Sequence, residues 1–242
     1  MLRKSLLISA APFLALFGVP AYAQDSTTSN KEASPSLAPI VVTAQKREQA
    51  LQDVPISIAA LGTEQLENQQ INDLLDIVGD VPNVFINNFN GRPGVVRLFI
   101  RGLGQNDVSL TQDPSVALYT DGVYVGTSVG AAFELTDLER IEILRGPQGT
   151  LYGRNSTGGA INLISAKPKL EEFGYKVSGS VGNFDYRNLT GHVNIPLGET
   201  AALKFSGLRT KRDGWIENTG VGEDFSTQDR QGFRGALRWQ PN

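Results

Sequence analysis

The chain has 242 residues, a length that holds one or two domains. It contains no cysteine, which excludes a disulfide framework and any thiolate metal site. Its formal charge of −3 argues against the basic face that general nucleic-acid binding needs.

The N-terminus reads as a secretory signal over residues 1–23. Arg3 and Lys4 form its positive region, Leu6 to Val19 its apolar core, and Ala21-Tyr22-Ala23 its small-x-small cleavage site. The apolar run is short for a membrane anchor and is broken by Pro12, Gly18 and Pro20. Residues 24–39 are mostly Ser, Thr, Asn, Asp, Lys, Glu and Pro, a composition that cannot bury enough apolar surface to fold, and they read as a disordered linker. Ile40-Val41-Val42-Thr43-Ala44 follows, a β-prone run that by itself reads as a first core strand.

Residues 45–170 read as one domain of mixed helices and strands. Pro55 to Leu61 alternates as a strand. Thr63 is placed to cap a helix through Glu64, Leu66 and Glu67, and Asn72 to cap a second helix over 73–78, which Gly79 and Pro82 stop. Val84 to Ile86 and Val95 to Ile100 are strands around the loop 87–94. Ser115 to Tyr119 is a strand, and Asp121-Gly122 suits a tight hairpin turn into Val123-Tyr124-Val125. Leu138 to Leu144 is a further strand, and it leads into the most informative stretch of the chain.

That stretch is 144–164, LRGPQGTLYGRNSTGGAINLI. Glycines 146, 149, 153, 158 and 159 stand between two apolar strands, so the backbone there takes positive φ or passes very close to another backbone. A phosphate-binding loop is excluded: it needs Gly-Lys-Ser/Thr opening a helix, and here Gly158-Gly159-Ala160 opens a strand. The order Leu-Arg-Gly-Pro (144–147), Tyr152-Gly153, then Gly158-Gly159-Ala160-Ile161-Asn162 closely resembles the end of the plug domain of TonB-dependent outer-membrane receptors. Arg101-Gly102-Leu103-Gly104 resembles a second signature of that family.

The resemblance implies roles. Residues 40–44 (Ile40, Val41, Val42, Thr43 and Ala44) resemble the TonB box, which binds TonB by adding a detachable strand to an exposed sheet edge. The linker 24–39 is too short for the folded signalling domain that some relatives carry. In the family, plug loops corresponding to 87–94, 105–114 and 126–131 reach the ligand, which makes Arg92, Gln105, Asn106 and Tyr124 candidate ligand contacts. Arg101 and Arg145 each end an apolar strand; in the family such arginines pair with barrel acids, as a buried guanidinium requires. Gly102, Gly146, Pro147, Tyr152, Gly153, Gly158 and Gly159 carry the plug signature.

From residue 171 the pattern becomes pure alternation. Phe173, Tyr175, Val177 and Val181 oppose Lys176, Ser178 and Ser180; Leu189, Val193, Ile195 and Leu197 oppose Asn188, Thr190, His192 and Asn194. Ala201, Leu203 and Phe205 oppose Lys204 and Ser206, and Phe233, Leu237 and Trp239 oppose Arg230, Arg234 and Arg238. Segments of about ten residues with one apolar and one polar face are the signature of membrane-spanning barrel strands. The short link near 196–200 and the long polar link 212–227 place the first on the periplasmic side and the second outside. His192 is the sole histidine, so nothing supports a metal site on the polar face.

The fold class is therefore an α+β plug followed, over 171–242, by the first four antiparallel strands of an outer-membrane β-barrel. Plugged transporters have about 22 strands, so the chain reads as a fragment stopping about 18 strands early. The resemblance implies TonB-dependent uptake of a scarce solute, with a ferric siderophore as the leading class and a glycan or cobalamin as alternatives. TonB with its inner-membrane complex and outer-membrane lipid are the implied partners, and the cell outer membrane is the implied location. The sequence shows no nucleophile–base set and no cofactor loop, so neither an enzyme nor a cofactor is expected. Two other readings remain, a stand-alone soluble periplasmic binding module and a composite barrel formed by several copies.

Overall fold

The computed structural model describes residues 40–92, 94–109, 111–127 and 137–241. The secretory signal 1–23, the linker 24–39 and most of the loop 126–131 lie outside the described residues.

The plug begins with a two-stranded antiparallel hairpin, β1 (Val41–Val42) and β2 (Gln49–Ala50). A 3-10 turn, Leu51–Asp53, leads to β3 (Ile58–Gly62) and the short helix α1 (Thr63–Asn68). A second 3-10 turn at Leu74–Ile77 precedes β4 (Val84–Asn88), β5 (Val96–Ile100) and β6 (Leu103–Gly104), which form a small antiparallel sheet. Then come β7 (Val116–Thr120), β8 (Val123–Val125), β9 (Leu138–Arg145), the one-turn helix α2 (Gly149–Tyr152) and β10 (Gly159–Ser165). The central sheet has the order β3-β9-β10-β7-β8; β10 runs antiparallel to β9 and parallel to β7.

Strand alternation gives this sheet two buried faces. Ile141, Ile143, Ile161, Leu163, Val116, Leu118 and Leu61 point to one side, where Leu74, Ile77, Val96 and Ile100 cover them. Leu144, Ala160, Ala117 and Tyr119 point to the other, where Val42, Ala44 and Tyr152 cover them. The central strands are thus buried on both sides, as sheets with parallel pairing usually are.

Some sequence expectations shift. The first long strand begins at Ile58 rather than Pro55, and α1 is capped by Gly62 rather than Thr63, whose hydroxyl donates to the Leu138 and Glu139 carbonyls. The second predicted helix is a 3-10 turn capped by Asp73, not Asn72: Asp73 accepts from the Leu75 and Asp76 amides, and Asp76 returns a bond to the Asp73 amide in a capping box. The turn at Asp121-Gly122 forms as expected, with φ of 49° and 82°.

The last four strands, β11 (Gly174–Gly182), β12 (Tyr186–Pro196), β13 (Ala201–Arg212) and β14 (Gln228–Trp239), form an antiparallel meander that does not close. Its register puts Tyr175, Val193 and Phe205 in one row and Lys176, His192, Ser206 and Arg234 in the next. The apolar row is open: Val181 and Phe233 are each 87% exposed. The polar row turns inward, and Lys204, Ser206, Asn194 and Thr210 are buried against the plug side. Among the described residues no helix is long and apolar enough to cross a membrane.

Candidate functional site

Segment 40–44 is docked, not loose. Ile40 and Val41 stay exposed, whereas Val42 and Ala44 are fully buried against Leu144, Tyr152 and Ala160. The polar groups of the segment find partners on β9 and α2. The Thr43 amide donates to Glu142 Oε1 at 2.7 Å, and the Thr43 hydroxyl donates to the same oxygen at 3.2 Å. Arg140 Nε donates to Glu142 Oε1 at 2.8 Å, and Arg140 Nη2 to Thr43 Oγ1 at 3.3 Å. Tyr152 donates its hydroxyl proton to the Ala44 carbonyl at 2.8 Å while accepting from Asn162 Nδ2 at 2.7 Å. Burial pushes the Tyr152 hydroxyl above its ordinary value, which keeps it a donor. The Lys46 ammonium lies 4.5 Å from the Tyr152 ring centre and 5.0 Å from that of Tyr119.

The signature glycines explain how α2 and β10 are placed. Gly146 and Gly153 take φ of 105° and 71° on either side of α2, and exposed Pro147 starts the turn between them. Gly158 and Gly159 let β10 pass under β9 and β6: a Cβ on Gly159 would collide with the Leu144 carbonyl oxygen, and one on Gly158 would lie 3.0 Å from that of Leu103. Arg101 and Arg145 are brought together over the Pro82–Asn83 turn. The Arg101 amide donates to the Asn83 carbonyl at 2.8 Å, and Arg145 Nη1 to that of Pro82 at 3.3 Å. Arg101 is an exposed residue with φ of 53°, followed by Gly102 at 78°, and its Nη1 lies 3.2 Å from the position of a Cβ on Gly146. Arg145 Nε is buried with no partner among the described residues.

The four candidate ligand contacts are dispersed. Arg92 and Asn106 are exposed, and Gln105 donates to Gln112 Oε1 at 3.1 Å. Tyr124 accepts from Asn155 Nδ2 at 2.7 Å and packs on the face that covers segment 42–44. A polar cavity of about 530 Å³ lies elsewhere, between the capped turn at Asp73 and the strand ends around Asn188, Arg212 and Trp215, with Asn72 and Asn88 in its wall. Asn88 Oδ1 and Arg212 Nε are buried there without partners among the described residues. The Arg212 guanidinium stacks 4.7 Å from the Trp215 ring centre. The sequence reading missed this cavity because its walls come from segments far apart in the chain.

Ion pairs join the plug to the four strands, with the acid on the plug in each. Asp137, its side chain 4% exposed, accepts from Lys204 Nζ and Ser206 Oγ, both at 2.6 Å, and faces His192 Nδ1 at 3.3 Å. Asp121 meets Arg234 at 3.3 Å and Glu67 meets Lys176 at 2.5 Å. They are opposite in sign to the expected Arg101 and Arg145 pairs, and among the described residues Arg145 donates to a backbone carbonyl instead of an acid.

Residues 50–160 match the family model of the TonB-dependent Receptor Plug Domain. The chain is 30% identical over 209 residues to an Iron-regulated outer membrane virulence protein of Vibrio cholerae serotype O1, covering 82% of this chain and 30% of that protein. It is 27% identical over 197 residues to the Vitamin B12 transporter BtuB of Vibrio vulnificus, covering 78% of this chain and 31% of that protein. The crystal structure of the ferric yersiniabactin uptake receptor FyuA from Yersinia pestis superposes with a TM-score of 0.69 at 27% identity, over 77% of this chain and 29% of that one. The chain thus spans about 30% of the length of the curated relatives it matches. Its plug sheet, its signature glycines and its open meander of outward-apolar strands agree with these matches, and residues 50–160 are a plug domain of the TonB-dependent receptor family.

Proposed function

We propose that this chain supplies the plug, the energy-coupling segment and four barrel strands of an outer-membrane receptor that takes up a scarce solute by coupling to TonB. The observation that carries the reading is the placement of 40–44: a short β-prone segment, half exposed and half buried, packed against the conspicuous glycine-bound helix α2 and strand β9 of a family plug. An extended segment in that position can pass to a partner sheet through its main-chain groups. Secretory cleavage after Ala23 would deliver the chain to the envelope.

A ferric siderophore is the leading solute, supported by the Iron-regulated outer membrane virulence protein and the ferric yersiniabactin receptor among the similar proteins. Cobalamin is the second reading, supported by the Vitamin B12 transporters at 27–28% identity. We propose further that Arg145, whose Nε has no partner among the described residues, pairs with a barrel carboxylate, and that Arg101 does the same.

The test is uptake by the receptor that carries this chain, with and without residues 40–44. Radiolabelled ferric siderophores and labelled cobalamin are offered under iron and cobalamin limitation. Accumulation of either solute that disappears on deletion of 40–44 supports the reading and names the class. Accumulation that survives the deletion overturns the coupling role.

A further inference from the structure

The polar cavity of about 530 Å³ shares no wall residue with segment 40–44 or with Arg92, Gln105, Asn106 and Tyr124. Its volume falls in the range of small-molecule sites. Three amide oxygens stand in its wall. Asn88 Oδ1 is buried without a partner among the described residues. Asn188 commits its Nδ2 to Thr210 Oγ1 at 2.9 Å, and Asn72 commits its Nδ2 to the Gln70 carbonyl at 2.8 Å, so each keeps its oxygen as the acceptor. Facing this set of acceptors is a buried donor, Arg212 Nε, also without a partner among the described residues. The Arg212 guanidinium rests on two rings, 4.7 Å from the centre of Trp215 and 5.6 Å from that of Phe184, which fixes its plane.

We propose that this cavity binds an uncharged sugar unit, mono- or disaccharide in size, through its neighbouring hydroxyls. A buried polar atom costs free energy until a partner meets it. An anion only accepts: it would satisfy Arg212, leave the amide oxygens unmet and lie beside the carboxyls of Asp73 and Asp76. An ammonium only donates: it would satisfy the oxygens, leave Arg212 Nε unmet and face the guanidinium charge. A hydroxyl donates one proton and accepts on two lone pairs, so one group type answers both kinds of wall atom. Adjacent hydroxyls on a ring repeat that capacity at several points. Trp215 and Tyr186 add aromatic surface to the wall for the ring's C–H faces. The cavity lies at the end of the meander where the long link 213–227 joins β13 to β14, away from the short link 197–200. By link length that is the outer end, so the sugar arrives from outside the cell. The inference goes beyond the uptake reading, because binding here needs neither TonB nor residues 40–44.

The chain has two tryptophans, so Trp239→Phe leaves Trp215 as the sole emitter and its fluorescence reports on the cavity. The whole chain with that change is titrated in a detergent that carries no sugar headgroup. The probes are a panel of pentoses, hexoses, N-acetylhexosamines and disaccharides, with inorganic phosphate as the anion and methylammonium as the cation. The expected result is a saturable change in Trp215 emission with at least one sugar and with neither ion. Asn88→Leu and Arg212→Lys, each in the same background, should weaken that sugar about tenfold, because each removes one of the two unpartnered wall atoms. Calorimetric titration repeats the comparison without relying on emission. Circular dichroism checks the strands, and Gln228→Ala, elsewhere on the wall, replaces any variant that loses them. Saturable sugar binding that weakens in the wall variants supports the inference. Binding of no sugar, binding of phosphate or methylammonium alone, or sugar binding unchanged in the wall variants overturns it. Each of those results leaves the uptake reading intact, since deletion of 40–44 tests that reading separately.

Discussion

Asp73 accepts two backbone amides and still has its pKa raised from 3.8 to about 6, because burial disfavours the charged form and Asp76 adds repulsion. The unfolded carboxyl ionises near 3.8 while the folded one holds its proton to about 6, so folding is penalised increasingly as pH rises through that window and fully above it. Asp73→Asn keeps an accepting oxygen and removes the charge. Urea midpoints of the two proteins should coincide below the window and separate above it, with the variant more stable; a constant difference from low to neutral pH would rule this out. Glycines make a second contrast. Gly159→Ala drives a Cβ into the Leu144 carbonyl and to 2.9 Å from Ile100 Cδ1, a clash costing about 1–3 kcal/mol or more. Gly149→Ala meets nothing within 4 Å inside α2 and should stabilise by about 0.4–1 kcal/mol. Thermal melts of the two variants check both signs. The glycine cluster was legible in the sequence because positive φ and close approach leave a compositional trace. Asp73 was not, since Asn72 and Asp73 are both good caps and only the path of the chain chooses between them.

At the scale of elements, the bond between plug and strands concentrates at Asp137. Lys204 and Asp137 are both nearly dry, with side chains 8% and 4% exposed, so removing one leaves the other charge buried. Asp137→Ala should cost about 3–5 kcal/mol, and adding Lys204→Met should recover much of it. Arg234→Ala, on a pair whose side chains are 34% and 40% exposed, should cost about 1 kcal/mol or less. Denaturant midpoints of the three variants test the ranking, and equal losses for Asp137→Ala and Arg234→Ala would refute it. The four terminal strands and the β9–β10 pair were readable because alternation shows wherever one face is apolar. The helix α2 leaves no mark in the sequence, since a single turn of Gly149-Thr150-Leu151-Tyr152 has no periodicity to detect. Alternation alone would put polar Glu142 and Asn162 on a solvent face, opposite Ile141, Ile143, Ile161 and Leu163. That face is covered only because residues 42–44 come from a distant part of the chain to lie on it, a tertiary event that local pattern does not record.

For the whole molecule, the exposed apolar row of the meander decides the solvent it prefers. Val177, Leu189 and Phe233 are 69%, 56% and 87% exposed, and they sit on the side away from the plug. The chain should enter the detergent phase in a cloud-point partition, and Val177→Glu, Leu189→Glu and Phe233→Glu together should return it to the aqueous phase. Retention of the triple variant in detergent would mean that another surface carries the affinity. The hairpin at the start of the plug has a further, mechanical meaning. β1 and β2 are antiparallel and share two residue pairs, with Ile40 at the open end. A pull on the chain from that end loads the hairpin's bonds one after another, as a zipper opens, rather than all at once in shear. Beyond it the next strand in line, β3, pairs with β9 over five positions at the edge of the central sheet. Tension from the N-terminal side would therefore meet a weak catch and then a firmer one, so that the segment nearest the applied load yields while the sheet behind it still holds.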